Sequence, residues 1–226
     1  MKITFLGHAA LRIETGTHEL LVDPYITGNP LAKDKISLDS LHPDFILLTH
    51  AHQDHVLDAE ALARRSGATL ISNFEIVSHY QAKGLAGHPM NHGGAREFEF
   101  GWLKYVNAVH TSSFADGTYG GQPGGFLLRA GGKQLYIAGD TALHMDMKLL
   151  PGYGAIDLAI LPIGDNFTMG YEDAVLASDF VGCPRVMGVH YDTFGYIVID
   201  KEKARTAFEK AGKTLLLPGI GESVEA

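Results

Sequence analysis

The sequence predicts an α+β protein in which two sets of short strands are each followed by helices. Residues 45–48 form a continuous apolar stretch that is short enough for a buried strand, and residues 59–65 are rich in helix formers. The order of strands and then a helix-bearing half occurs twice along the chain, without a tandem sequence repeat. A hydrophobic content of 46% and a charged content of 19% are typical of a folded globular chain of 226 residues.

The first half of the chain begins with three predicted strands, which are separated by breaks at Gly7 and Gly16. Residues 26–43 lack periodicity and contain Gly and Pro, so we expect a loop that flanks an active site. The remaining segments form a βαβα stretch, which places helices against one face of a sheet. The predicted elements are strands at 2–6, 11–15, 20–23, 45–48 and 68–72 and helices at 59–65 and 74–83.

The second half contains two predicted hairpins. The first joins 97–100 to 103–109 through Gly101 and Trp102, and the second joins 126–129 to 134–138 across two glycines. The other predicted elements are strands at 156–161, 185–189 and 214–217 and helices at 171–181 and 201–211.

The most informative stretch is His50-Ala51-His52-Gln53-Asp54-His55, which lies where a predicted strand ends and a helix begins. His50 and His52 are two residues apart, so in an extended segment their side chains point the same way and can bind one ion. Asp54 and His55 reach a second position a few ångströms away. Neutral imidazole and carboxylate groups suit zinc and related divalent ions. The alternative is a solvated histidine-rich loop, which needs no structure around it.

This motif resembles the signature of the metallo-β-lactamase superfamily. The resemblance implies three further ligands, and His110, Asp140 and His190 each follow a predicted strand. It implies that His50, His52 and His110 hold one ion, that Asp54, His55 and His190 hold the other, and that Asp140 bridges both. It also implies one domain over 1–226 with a four-layer αββα sandwich, in which two mixed sheets carry helices on their outer faces.

Within the superfamily the chain is similar to the small metal-dependent hydrolases related to ascorbate-6-phosphate lactonase. Residues 7–9, 22–25 and 161–170 carry this closer similarity. It implies a hydrolase with a dinuclear site and a metal-bridging hydroxide, acting on a small ester or lactone, phosphorylated ones included. Zinc is the expected metal, and manganese, iron, cobalt and nickel are the alternatives.

Several other residues are candidates for roles beside the metals. Asp54 is expected to orient the hydroxide and accept its proton, and Asp23 to hydrogen-bond a ligand's free ring nitrogen. His8 is a candidate proton donor or a structural histidine, and Tyr191 either polarises a substrate oxygen or packs beside the site. The candidate substrate contacts are Asn91, in a predicted polar loop at the pocket mouth, and Asn166 and Thr168.

Composition restricts the partners and the function classes. The formal net charge of −8 opposes a nucleic-acid partner, so we expect a small-molecule substrate. No apolar run approaches the roughly twenty residues of a membrane span, and the N-terminal segment is too polar after Leu6 for a signal peptide. The single cysteine, Cys183, excludes an internal disulfide and is expected to be a buried, inert thiol. A cytoplasmic location follows as an expectation, and a homo-oligomer stays open.

Three other functions compete with hydrolysis of an ester or lactone. A phosphodiesterase or nuclease uses the same scaffold, although the acidic charge opposes nucleic acid. A diiron oxygen or nitric-oxide reductase requires an electron donor, and the chain is too short for its own flavin domain. A non-catalytic metal-binding protein is disfavoured because the ligand set is complete.

Overall fold

Two mixed sheets form the centre of the computed structural model, which describes residues 1–226. The first has seven strands in the order β14-β1-β2-β3-β4-β5-β6, antiparallel from β14 to β3 and parallel from β3 to β6. Its strands are β1 (Lys2–Gly7), β2 (Ala10–Glu14), β3 (Glu19–Val22), β4 (Phe45–Leu47), β5 (Thr69–Asn73), β6 (Gly87–Met90) and β14 (Ser223–Glu225).

The second sheet repeats this arrangement. Its seven strands have the order β13-β12-β11-β10-β9-β8-β7, parallel from β13 to β10 and antiparallel from β10 to β7. They are β7 (Ala95–Phe98), β8 (Gly101–Asn107), β9 (Gly124–Ala130), β10 (Lys133–Ile137), β11 (Leu158–Pro162), β12 (Arg185–Val189) and β13 (Thr214–Leu216).

Five α-helices accompany the sheets, and three short 3₁₀ helices lie in the loops. The α-helices are α1 (Gln53–Val56), α2 (Ala59–Ser66), α3 (Phe74–Gln81), α4 (Tyr171–Phe180) and α5 (Lys201–Lys210). The 3₁₀ helices are Leu38–Ser40, Met145–Tyr153 and Gly195–Ile197. No helix has the length and apolarity required to cross a bilayer.

Side-chain alternation along the strands builds three apolar layers. In β10, Leu135 and Ile137 face the core between the sheets, whereas Tyr136 faces the outer core with α4 and α5. In the first sheet, Leu47 of β4 enters the core between the sheets, and Ile46 packs in the outer core with α2 and α3. The predicted αββα sandwich is therefore confirmed.

Two local predictions were wrong. The segment predicted as a polar loop around Asn91 contains the edge strand β6, whose Gly, His and Pro give no strand signal of their own. Pro89 is tolerated there because an edge strand leaves one side without a pairing partner. The first hairpin turns at Glu99 and Phe100, not at Gly101 and Trp102, because Phe100 is buried in the core and β8 starts at Gly101.

Candidate metal centre

The predicted metal ligands all follow strand ends at one edge of the sandwich. His50 and His52 follow β4, and Asp54 and His55 lie on α1 directly after them. The three remaining predicted ligands, which come after β8, β10 and β12, are His110, Asp140 and His190. Because these strands run in the same direction within their sheet, their carboxyl ends bring the side chains together.

The backbone at this edge is unusually constrained. His8, Asp23 and His190 each follow directly on a strand and have positive φ angles of 58°, 44° and 57°. For residues other than glycine this left-handed conformation costs about 1–2 kcal/mol, and such residues cluster at functional sites. The surrounding fold therefore holds these three side chains in positions that an unconstrained loop would not adopt.

The first group of potential ligands consists of His50, His52 and His110. One ring nitrogen from each lies within 4.8 Å of the others. His50 Nε2 and His52 Nδ1 are 3.0 Å apart, so the two rings present nitrogens to a shared point. These three imidazoles match the set that the superfamily resemblance implied for one ion.

The second group consists of His8, Asp54, His55 and His190, whose ligand atoms also lie within 4.8 Å of one another. Three of these match the set implied for the other ion. The fourth, His8, is buried and has both ring nitrogens engaged: Nε2 is 3.0 Å from Asp54 Oδ2, and Nδ1 is 2.9 Å from Thr193 Oγ1. This arrangement suits a residue that positions the Asp54 carboxylate.

Asp140 lies between the two groups. Its Oδ2 is 2.9 Å from His190 Nε2 and 3.3 Å from His55 Nε2, both in the second group. The same oxygen is 3.6 Å from His110 Nε2 and 3.9 Å from His50 Nε2, both in the first group. Asp140 is buried, with an exposed fraction of 3%. One oxygen atom thus contacts imidazoles of both groups, as a bridging ligand requires.

Several polar atoms in this cluster need a partner that the protein does not supply. Asp140 Oδ1 and His190 Nδ1 are buried and have no hydrogen-bond partner, and the 3.3 Å contact of His55 Nε2 with Asp140 Oδ2 lacks the geometry of a hydrogen bond. A buried polar atom without a partner costs about 1–3 kcal/mol. Imidazole nitrogen and carboxylate oxygen are the donors that zinc and its neighbours accept, so these residues fit divalent metal ions.

The protonation of the histidines also suits metal binding, which needs neutral imidazole. Burial lowers the pKa of His50 well below its ordinary value and lowers the pKa of His52 and His110. His55 differs: burial opposes its charged form, but Asp140, Asp54 and Asp23 outweigh that effect and raise its pKa well above the ordinary value. Without metal a proton on His55 balances these carboxylates, and a bound cation would displace it.

The Asp23 carboxylate orients residues of both groups through hydrogen bonds. Its Oδ2 accepts a hydrogen bond from His55 Nδ1 at 2.9 Å and another from Thr49 Oγ1 at 2.6 Å. Thr49 Oγ1 is in turn 3.0 Å from His50 Nδ1, so one buried carboxylate orients ligands of both groups. The predicted hydrogen bond between Asp23 and a candidate ligand is confirmed, with the Asp23 carboxylate accepting from His55. Thr49 was not predicted, although a polar residue directly before the motif was a signal for it.

The other predicted site residues belong to neither group of potential ligands. Tyr191 is buried, stacks on Phe5 with ring centroids 6.3 Å apart, and has the ammonium of Lys201 5.3 Å from its ring. Burial raises its pKa to about 12. These contacts support a packing role, and its catalytic role stays a prediction.

A cavity opens beside Asp54, and none of the three predicted substrate contacts lines it. Asn91 accepts a hydrogen bond from the backbone N–H of His92 at 3.1 Å. Asn166 lines a separate cavity with Tyr171, and the hydroxyl of Thr168 donates to Met169 O at 3.1 Å. Their substrate-binding roles stay predictions that no contact with the clustered ligands supports.

A cavity that the sequence did not reveal opens at Asp54. It has a volume of about 810 Å³, and four of its nine lining residues are aromatic and come from three separate segments. Its aromatic lining residues are Tyr25, Phe167, Phe194 and Tyr196. The sequence offered one signal for this cavity, the aromatic residue Phe167 between the two predicted contacts Asn166 and Thr168.

An αββα sandwich with two adjoining groups of histidine and aspartate at one edge defines a class of metal-binding folds. The chain matches the model of the Beta-lactamase superfamily domain over residues 2–190, and it belongs to the metallo-β-lactamase superfamily. The prediction from the motif is therefore confirmed.

Similar proteins are known over the full length of the chain. It is 61% identical over 225 residues to a UPF0173 metal-dependent hydrolase of Christiangramia forsetii and 58% identical to one of Flavobacterium johnsoniae, with 100% of each chain covered. It is similar to the structure of a metallo hydrolase from Ignicoccus hospitalis, with a TM-score of 0.90 and 33% identity over 99% of this chain and 97% of that one. The predicted enzyme class, metal-dependent hydrolase, is confirmed.

Proposed function

We propose that this protein hydrolyses small esters or lactones at a dinuclear metal centre. The observation that carries the proposal is the position of Asp140, whose Oδ2 lies within 3.9 Å of imidazoles from both histidine groups. His50, His52 and His110 would hold one ion, and Asp54, His55 and His190 the other. Zinc is the expected metal because most of the donors are imidazole nitrogens.

Divalent ions held by these residues would lower the pKa of water, so that a hydroxide nucleophile would be available near neutral pH. The side chains around them hold and move protons. Burial opposes ionisation of Asp54, but His55 and His8 outweigh it and hold the pKa of its carboxyl well below its usual range. Asp54 is therefore ionised at neutral pH and can accept the proton of the attacking nucleophile.

His8 keeps the Asp54 carboxylate in place during this transfer. Burial lowers the pKa of His8 to about 4, so its imidazole is neutral at pH 7. The neutral ring donates from Nε2 to Asp54 and accepts the Thr193 hydroxyl at Nδ1. Hydrolysis forms a bond from the nucleophile oxygen to the carbonyl carbon and breaks the C–O bond of the leaving alcohol. Asp54 returns the proton to that alcohol oxygen.

Activity assays with the zinc-reconstituted enzyme test this proposal. We expect hydrolysis of γ-butyrolactone and 4-nitrophenyl acetate that a chelator abolishes and that zinc restores. Asp54→Asn should lower kcat by about 100-fold or more, because it removes both the proton acceptor and a ligand of one ion. Asp34→Asn, at an exposed carboxylate in the loop before β4, is the matched control and should keep full activity.

Two outcomes would contradict the proposal. The metal-loaded enzyme would be inactive on every ester and lactone tested, or it would hydrolyse bis(4-nitrophenyl) phosphate faster than any of them. The second outcome would favour a phosphodiesterase.

A further inference from the structure

The cavity that opens at Asp54 is the space in which a substrate would lie beside the candidate metal centre. The Asp54 side chain is 27% exposed, whereas those of Asp140 and His190 are 3% and 2% exposed. A substrate in this cavity therefore reaches the cluster at Asp54. The chemistry of the remaining wall decides what lies next to the reacting bond.

That wall is aromatic. Tyr25 and Phe194 lie nearest the cluster: their ring centroids are 5.8 Å and 5.3 Å from that of His8 and 6.4 Å from each other. Phe167 and Tyr196 form a second pair with centroids 6.0 Å apart in an edge-to-face arrangement. Phe167 is 49% exposed and Tyr196 is 78% exposed, although both side chains are large and apolar. Exposed aromatic rings around a cavity mark a ligand-binding surface.

The local backbone accommodates this wall. A Cβ atom at Gly28 would lie 2.6 Å from Tyr25 Cε2 and 2.6 Å from Leu57 Cδ2, so only glycine leaves room for the ring. Tyr25 OH donates to Gly28 O at 2.8 Å, which fixes the ring against the cavity. Tyr25 is therefore a preformed part of the wall.

The charge of the cavity excludes another kind of ligand. Its lining residues include no lysine and no arginine, and the only charged side chain is that of Asp54. A phosphate or carboxylate beyond the reacting bond would have no cationic partner in the wall, in a chain of net charge −8. Away from metal ions, anion sites in proteins are typically built from arginine, lysine or clustered backbone N–H groups.

We infer that the substrate carries an uncharged aromatic or aliphatic group next to its ester or lactone bond, and that Phe167, Tyr196, Phe194 and Tyr25 bind this group. The inference rests on the proposed hydrolase function. It replaces the expectation that phosphorylated lactones are included among the substrates. Tyr25 and Phe194 contact His8, whereas Phe167 and Tyr196 contact each other. The pair Phe167 and Tyr196 is therefore assigned to the non-reacting group of the substrate and to specificity.

A matched pair of lactones tests the inference on the zinc-reconstituted enzyme. The pair is γ-butyrolactone substituted at the γ carbon by phenyl or by phosphonooxymethyl. We expect kcat/KM at least about tenfold higher for the phenyl compound. Phe167→Ala should lower kcat/KM for it by about tenfold, mainly through KM, and should lower the value for unsubstituted γ-butyrolactone by a smaller factor, because that lactone lacks the phenyl group.

A binding measurement separates specificity from turnover. In saturation-transfer NMR with phenylacetamide as the probe, the enzyme should transfer magnetisation to the phenyl ring, and Phe167→Ala should reduce that transfer. Leu176→Ala is the control, since Leu176 is an equally exposed apolar residue on α4, at 48%. It should change neither the transfer nor the kinetics.

The outcomes distinguish the two proposals. Equal or faster hydrolysis of the phosphorylated lactone, or an unchanged KM in Phe167→Ala, would overturn the inference and leave the hydrolase function standing. Absence of hydrolysis for all three lactones, together with intact phenylacetamide binding at Phe167, would overturn the proposed function and leave the apolar cavity standing.

Discussion

At the scale of single residues, Asp140 connects the two groups of potential ligands in the candidate metal centre. It follows β10 in the middle of the second sheet, and its buried carboxylate contacts histidines that follow β4, β8 and β12. No other carboxylate at the site contacts imidazoles of both groups within 4 Å. The proposed dinuclear centre therefore depends on this side chain.

Asp140→Asn tests that dependence. The amide keeps the shape of the side chain but loses the negative charge, so we expect both metal positions to weaken together. Metal analysis of the purified variant should show a parallel loss of both ions. Asp54→Asn is the comparison, because Asp54 belongs to one group and should affect one ion. Loss of one ion alone in Asp140→Asn would contradict a bridging role.

His52→Ala tests the other edge of the centre. His52 is only partly buried, so truncation leaves no sealed cavity and should change the free energy of unfolding by less than about 1 kcal/mol. We expect it to abolish metal-dependent hydrolysis and to leave the circular dichroism spectrum unchanged. His42→Ala, at an exposed histidine before β4, should keep full activity. Unchanged activity in His52→Ala would show that the metal site is wrongly assigned.

The clustering of the candidate ligands could be predicted residue by residue, but the cavity could not. His50, His52, Asp54 and His55 stand in one short motif, and the others follow apolar strands, so local pattern and family resemblance were sufficient to bring them together. Their role as metal ligands stays a prediction. The aromatic wall draws on positions 25, 167, 194 and 196, whose proximity depends on loop conformation. Likewise the contacts of Tyr191 depend on packing between Phe5 and Lys201, which no local pattern encodes.

At the scale of elements, the turn after β10 supports the centre through Gly139. This residue has a φ of 65°, and a Cβ atom there would lie 2.8 Å from Thr49 Cβ and 2.9 Å from Gly124 O. Thr49 is hydrogen-bonded to Asp23 and lies beside His50. The close approach of this turn to β4 is therefore coupled to the orientation of the ligands.

Gly139→Ala should lower both stability and metal affinity, because the methyl group displaces Thr49. Gly132→Ala is a matched control: Gly132 also has a positive φ, 75°, but nothing lies within 4 Å of its added Cβ. Both variants should lose about 1 kcal/mol of unfolding free energy from backbone strain. Only Gly139→Ala should lose more than that and bind metal more weakly by isothermal titration calorimetry. Equal effects of the two substitutions would contradict the coupling.

Element prediction succeeded where local sequence and packing agree. Helix α2 ends at Gly67, whose φ of 76° is the left-handed cap expected of a glycine after a helix. In contrast, β6 and β14 form because neighbouring strands β5 and β1 offer backbone partners at sheet edges. Their own residues have weak strand propensity, so only tertiary pairing specifies them.

At the scale of the whole molecule, the buried histidines make the metal-free protein sensitive to acid. Burial lowers the pKa of His50, His52 and His110, and lowers that of His8 to about 4. Between about pH 6.5 and pH 4 the unfolded chain thus binds more protons than the folded chain, and stability falls as the pH falls. The pKa of His55 is raised, so His55 is protonated in the folded chain throughout this range. Its stabilising contribution is already fully present below pH 6.5 and does not reverse the fall in stability.

Denaturant unfolding of the chelator-treated protein across this range measures the effect. The lowered pKa of His8 alone can reduce the free energy of unfolding by up to about 3 kcal/mol as the pH falls from 6.5 to 4. His8→Gln keeps a donor toward Asp54 but does not titrate, so its stability should depend less on pH between 6.5 and 4. A stability that is constant across this window, or that rises as the pH falls, would contradict the burial of neutral histidines.

The assignment of 1–226 to one domain stays a prediction, and so do the cytoplasmic location and the similarity to ascorbate-6-phosphate lactonase. The strand order supports the first of these, because β14 returns from the end of the chain to pair with β1. The first sheet is thus completed only when the C-terminal segment is in place.

The number of metal ions per chain tests the dinuclear centre most directly. It is measured by elemental analysis on protein purified without added metal or chelator, and again after reconstitution with zinc. The arrangement of two ligand groups around Asp140 predicts two ions per chain. One ion or none after reconstitution would contradict the dinuclear centre.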